Sequence, residues 1–136
     1  MAASVLADSS FLVALLNVRD TDHEWAATQA IRFPPPWKTC EAALSEAFHL
    51  LGHLGMPALA ELLQERAVVC AFDGAEHIDD VLRLMKKYSD VPMSFTDGCL
   101  VRMSEVLSNP TILTTDADFH VYRRHGRQVV PCVFPR

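Results

Sequence analysis

The sequence predicts an α/β fold in which helices cover both faces of a parallel sheet. Short β-type runs alternate with helical ones along the chain, the pattern of repeated βαβ units. Val68-Val69-Cys70-Ala71-Phe72 is apolar without interruption, as a strand buried on both faces must be, rather than alternating. With 136 residues, half of them hydrophobic, the chain is expected to build one core and one domain over residues 1–136.

Taken in order, residues 4–7 are predicted as a strand and 9–17 as a helix. A second helix is expected over 23–33, with Asp22 as its N-cap. Pro34-Pro35-Pro36 is the densest break in the chain, and 37–39 follows it as a brief strand. Residues 41–54 form a long apolar helical stretch that Gly55 is expected to end, and 57–66 another helix with its proline in the first turn. Residues 67–72 are the buried strand, 75–88 an amphipathic helix, 96–107 a further helix and 111–113 a strand. A short helix over 117–124, stopped by Gly126, and a last strand over 128–134 complete the reading. No internal repeat, linker or low-complexity segment interrupts it.

Composition narrows the function. No apolar run approaches the roughly 18–20 residues of a membrane span, and Met1-Ala2-Ala3-Ser4-Val5-Leu6-Ala7-Asp8 has no basic n-region, so no signal peptide is expected. Cys40, Cys70, Cys99 and Cys132 form no C-x-x-C pair and are expected to be reduced core residues of a cytoplasmic protein. Twelve Lys+Arg against 17 Asp+Glu give a net charge of −5, which by itself argues against a phosphate-backbone partner. That objection weakens if acids are concentrated in a metal site, since four of them would account for four of the five net negatives.

The acids repeatedly close a strand or open a helix. Asp8 ends the first strand, Asp97 opens the helix over 96–107, and Asp116 follows Thr111-Ile112-Leu113-Thr114-Thr115. Ligands of open parallel sheets bind beyond the carboxyl ends of the strands, so carboxylates dispersed in sequence converge there. Hard oxygen donors of this kind suit Mg²⁺ or Mn²⁺ bridged to phosphate. Singly, each acid has a plainer reading: Asp8 and Asp116 as N-caps, Asp97 as a first-turn acid favoured by the helix dipole. One aspartate can serve both roles.

The set together carries a resemblance. Val5-Leu6-Ala7-Asp8-Ser9-Ser10-Phe11-Leu12-Val13-Ala14-Leu15-Leu16 resembles the opening motif of PIN domains, and Thr39-Cys40-Glu41-Ala42-Ala43-Leu44-Ser45-Glu46 the second. Ser94-Phe95-Thr96-Asp97-Gly98-Cys99-Leu100 and Leu113-Thr114-Thr115-Asp116-Ala117-Asp118-Phe119 are similar to the third and fourth; Tyr122-Arg123-Arg124-His125-Gly126 and a final apolar strand follow. The chain thus resembles PIN-domain ribonucleases of the VapC toxin type, from Leu6 to Pro135. The resemblance implies a three-layer α/β/α fold around a parallel sheet of about five strands. It implies Mg²⁺- or Mn²⁺-dependent hydrolysis of single-stranded RNA, with Asp8, Glu46, Asp97 and Asp116 as metal ligands and catalytic residues. Ser9 and Thr96 would stand behind them as supporting hydroxyls, and Asp118 beside Asp116. It further implies a small antitoxin protein as partner and a homodimer.

Glu41 and Glu46 compete for the second-motif position. Five residues of helix turn by about 500°, so the two side chains diverge by about 140° and cannot share a direction. The family spacing favours Glu46, whereas Glu41 lies nearer the strand end.

Other signals are weaker. Glu46, His49 and His53 fall on one helical stripe at i, i+3 and i+7, but no further His or Cys joins them for zinc. His23-Glu24 lacks the second histidine of a zincin, and no phosphate-cradling glycine motif occurs. Ser9-Ser10 have no G-x-S-x-G elbow, and Asp8-Ser9-Ser10 does not supply the D-x-D of an aspartyl-nucleophile phosphatase. Lys86-Lys87 and Arg123-Arg124 with Arg127 are modest basic groups that read as solvated faces or phosphate contacts. Two functions of different class therefore stand: a metal-dependent endoribonuclease, and a PIN-like or flavodoxin-like domain that binds without catalysis.

Overall fold

The computed structural model describes residues 2–136. Seven strands and five helices follow one another as β1 (Ser4–Ala7), α1 (Ser9–Leu16), α2 (His23–Arg32), β2 (Trp37–Thr39), α3 (Glu41–Gln64), β3 (Val68–Cys70), α4 (Ile78–Lys87), α5 (Phe95–Val106), β4 (Pro110–Leu113), β5 (Arg123–Arg124), β6 (Gln128–Val129) and β7 (Cys132–Val133). Five of the strands form one sheet in the order β3-β2-β1-β4-β7, every neighbouring pair parallel.

Side-chain alternation explains the three layers. Leu6 and Ile112 point to a core shared with Val81, Leu100 and Met103 of α4 and α5. Their neighbours Ala7 and Leu113 point to the opposite core, where Phe11, Ala26 and Leu59 of α1, α2 and α3 pack. Successive residues of a strand face opposite sides, so apolar residues at every position require helices on both. The expected α/β/α arrangement with a five-stranded parallel sheet is what the chain adopts.

The strand order reverses between β1 and β4: from β1 the chain moves outward through β2 and β3, then returns to β4 on the other side. Such a switch point opens a crevice at the carboxyl ends of the two strands. A flavodoxin-like sheet runs 2-1-3-4-5, so the order here departs from that alternative.

Four expectations are corrected. The helix over 41–64 breaks at Gly52, whose φ of 68° and ψ of −167° suit a residue without Cβ, and not at Gly55. Pro57 accordingly stands inside the second segment. The helix expected over 117–124 shrinks to one 3₁₀ turn, Ala117–His120, because His125 (φ 50°) and Gly126 (φ 82°) close the antiparallel β5–β6 hairpin instead. Pro131 has no N–H to donate, although its carbonyl accepts from Ile112 N (2.9 Å), and the strand expected over 128–134 divides there; only β7 joins the main sheet. Asp22 holds the N-cap position of α2 without a side-chain cap bond.

All four cysteines are free; Cys40 and Cys99 are buried, whereas Cys70 is exposed and no part of the core. Among the described residues no helix is long and apolar enough to cross a membrane.

Candidate active site

Asp8 leaves the end of β1 as the N-cap of α1, and its own amide donates to Leu113 O (3.1 Å), the last residue of β4. Its carboxylate is surrounded by donors: Ser9 N (2.7 Å) on Oδ1, and Thr114 Oγ1 (2.7 Å) and Ser10 Oγ (3.1 Å) on Oδ2. Thr114 Oγ1 in turn accepts from Asp116 N (3.0 Å), so the first and fourth motifs are tied together across the switch point. Asp116 Oδ1 accepts from Asp118 N (2.9 Å), the bond that caps the 3₁₀ turn over Ala117–His120. Asp8 and Asp116 are therefore N-caps, and a capping carboxylate keeps lone pairs beyond the one its cap bond uses.

Asp97 enters from the first turn of α5. Ser94 caps that helix by accepting from Asp97 N (3.0 Å), and the buried Tyr122 hydroxyl donates to Asp97 Oδ2 (2.8 Å). Glu46 reaches the same place from α3, where Ser9 Oγ donates to Oε1 (3.0 Å) and Thr96 Oγ1 to Oε2 (2.6 Å). The structure thus brings Asp8, Glu46, Asp97 and Asp116 together with Ser9 and Thr96. Glu41 lies elsewhere, exposed at the first position of α3, where it lines a separate cavity with Phe72, Asp73 and Phe95.

The electrostatics record the convergence. Burial, helped by the Asp97 charge and opposed by the Thr114, Ser10 and Ser9 donors, leaves the Asp8 carboxyl pushed up to about 6. Burial also raises Asp97, with Asp116 as the neighbouring like charge, while the Tyr122 hydroxyl opposes the shift. Tyr122 itself is pushed up by burial and by its bond to Asp97, so it remains a donor at neutral pH. The ion pairs of the described residues involve Asp22, Asp80 and Glu105; none of the four acids has a cationic partner.

Carboxylate oxygens alone, held by hydroxyl and amide donors and uncompensated by any Lys or Arg, fit a hard divalent cation in kind. The arrangement is not closed: among the described residues no three Asp, Glu, His or Cys side chains are gathered tightly enough to hold a metal ion as they stand. Glu46 has both oxygens committed to hydroxyls, which accounts for part of the spacing. The His49–His53 stripe offers no zinc site either, since the break at Gly52 falls between the two histidines.

Sequence reasoning gave no role to Thr114, Ser10 or Tyr122. Thr114 is signalled faintly by its place at a strand end two residues before an acid. Nothing local marks Tyr122, whose partner is 25 residues away.

No protein-family model and no curated protein matches the chain. Among solved structures it is similar to VapC20 of Mycobacterium tuberculosis, described as a sarcin–ricin loop cleaving toxin, with a TM-score of 0.73 over 87% of this chain and 94% of that one. The fold is that of a VapC-type PIN domain. Sequence identity is 23%, so what the two share is the fold.

Proposed function

We propose that the chain is a divalent-metal-dependent endoribonuclease that hydrolyses phosphodiester bonds of single-stranded RNA, the toxin component of a toxin–antitoxin pair. The observation that carries this reading is four carboxylates at the switch point of a PIN fold with no cation among the protein's own side chains. The solved structure that shares the fold is described as a sarcin–ricin loop cleaving toxin, which supports the substrate class.

Asp8, Glu46, Asp97 and Asp116 would hold Mg²⁺ or Mn²⁺, which when bound lowers the pKa of water and neutralises phosphoryl charge. The protein's own part is positioning. Ser9, Ser10, Thr96, Thr114 and Tyr122 fix the carboxylates by donating hydrogen bonds to them, and their hydroxyls bring no competing charge. The reaction adds water to phosphorus and breaks the P–O3′ bond, leaving a 5′-phosphate and a 3′-hydroxyl that takes the proton.

The unclosed spacing of the acids favours a second reading, a PIN-like binding domain without catalysis. One experiment separates them. Generic RNA is incubated with wild type and Asp97→Asn, in Mn²⁺ and in EDTA. Cleavage by wild type in Mn²⁺ alone, with 5′-phosphate ends, supports the nuclease; cleavage that survives both EDTA and the substitution rejects it. No cleavage under any condition, with RNA still bound, supports the second reading.

A further inference from the structure

Beside the carboxylates lies a cavity of about 270 Å³ between the N-terminal ends of α3 and α5 and the segment after β3. Its walls are Phe72, Ile78, Phe95 and the thiols Cys40 and Cys99; its polar lining includes Glu41 and Asp73 and no Lys, Arg or His. It is separate from the acid cluster but next to it along the chain: Phe95 precedes Thr96, the donor to Glu46, and Asp97. Glu41 opens the helix that carries Glu46.

We propose that this cavity is a guanine-binding subsite for the RNA substrate, with Phe95 as stacking face and Glu41 as the principal acceptor for the base edge. The proposal rests on the ribonuclease reading of the adjoining site and names the base next to the bond that is cut. Three features select the occupant. The volume lies just under the roughly 300 Å³ at which pockets for drug-sized ligands begin, enough for a fragment of nucleobase size. The carboxylate rim repels phosphate, so the part of a nucleotide that enters is its uncharged base. Single-stranded RNA is read by stacking splayed bases on aromatic rings and bonding their Watson–Crick edges, and Phe95 is 38% exposed at the mouth although large and aromatic.

Acceptors without donors then choose among bases. Guanine presents N1–H and N2–H₂ side by side, which one carboxylate accepts together; adenine and cytosine present a single amine there, and uracil a single imide N–H. Asp73 has Oδ1 committed to Ala75 N (3.0 Å), whereas Glu41 enters no ion pair among the described residues. Glu41 is therefore the better placed acceptor.

The test uses neutral nucleosides, which carry no phosphate, and the full chain in EDTA, where no cleavage occurs. Amide chemical shifts are followed during titration with guanosine, inosine, adenosine, cytidine and uridine. Guanosine is expected to perturb Gly74, Phe95 and Glu41 and to bind about tenfold tighter than adenosine, with inosine, which lacks the 2-amino group, between them. E41Q should abolish the preference while the melting temperature holds, and F95A should weaken every nucleoside by about tenfold, within the range of lost base stacking. Equal binding of all nucleosides, no binding, shifts confined to another face, or a preference that survives E41Q would each overturn the subsite. So would tighter binding of arginine amide than of guanosine, the mark of a guanidinium pocket. Because this measurement needs neither metal nor turnover, its failure leaves the cleavage assay to judge the nuclease separately.

Discussion

Asp97 has one oxygen on the Tyr122 hydroxyl and a raised pKa, so the metal-free native state bears its charge at a cost. Asp97→Asn, which can keep the Tyr122 bond through its amide oxygen, should stabilise the protein in EDTA while it abolishes cleavage. Mn²⁺ should raise the melting temperature of wild type, because binding to the native state alone stabilises by mass action, and should do so far less for the mutant. An acid that served only the helix dipole would give the opposite: a loss of a few tenths to ~1 kcal/mol and no metal effect on either protein. Asp8 gives the pH dependence. Its folded pKa, about 6, exceeds the unfolded 3.8, so the native state binds the proton more tightly. Its destabilisation is absent below the unfolded value and grows as pH rises from about 4 to 6, reaching roughly 3 kcal/mol at neutrality. Urea denaturation in EDTA at pH 4, 5, 6 and 7 should show that loss, and Mn²⁺ should reverse it; a flat profile would remove Asp8 from the cluster. Asp8, Asp97 and Asp116 were legible in the sequence because strand ends and helix starts can be read locally, whereas Glu46, inside α3, was reached only through the family spacing. Tyr122 and Thr114 were not, since their bonds span 25 and 106 residues.

Helix α3 carries the two competing glutamates, and its geometry separates them. Glu46 is bonded to Ser9 and Thr96, whereas Glu41 faces the neighbouring cavity. Glu46→Gln should therefore reduce kcat severely in the RNA assay, while Glu41→Gln should act through KM and base preference; the reverse pattern would reassign the second motif. The alternation of strands and helices was readable from apolar runs, but the place where α3 breaks was not. Gly52 and Gly55 are equally good helix breakers in sequence, and only packing decides which takes φ 68°. No atom within 4 Å would meet a Cβ at Gly52, so the obstacle to substitution there is the backbone alone. Gly52→Ala should cost about 1–3 kcal/mol, measured as a lower urea midpoint with an unchanged slope; no loss would mean that the break is soft.

At the scale of the whole molecule, the parallel three-layer architecture followed from sequence, but the order β3-β2-β1-β4-β7 did not, because periodicity carries no information on which strands are neighbours. The surface of α3 adds a proposal. Leu54 is 95% exposed, Leu50 62% and Met56, on the same helix pair, 43%, large apolar side chains of the kind that an interface covers. The proposed homodimer and the small antitoxin would both need such a surface. Light scattering should report a dimer at micromolar concentration, and Leu54→Glu should shift it toward monomer; a clean monomer of wild type at high micromolar concentration would reject the dimer.

The tie between Asp8 and Thr114 bridges 106 residues, and the amide of Asp8, just past β1, is bonded to Leu113 O. Chains emerge from the ribosome at about 5–20 residues per second, so a nascent chain exposes Asp8 for roughly 5–20 s before Thr114 has even been made. During that interval the N-terminal half carries Asp8 and later Glu46 without the strand that aligns them. A ribosome making this protein therefore works beside an incomplete site, and whatever cutting power the finished fold holds waits until β4 has been made and has paired with β1.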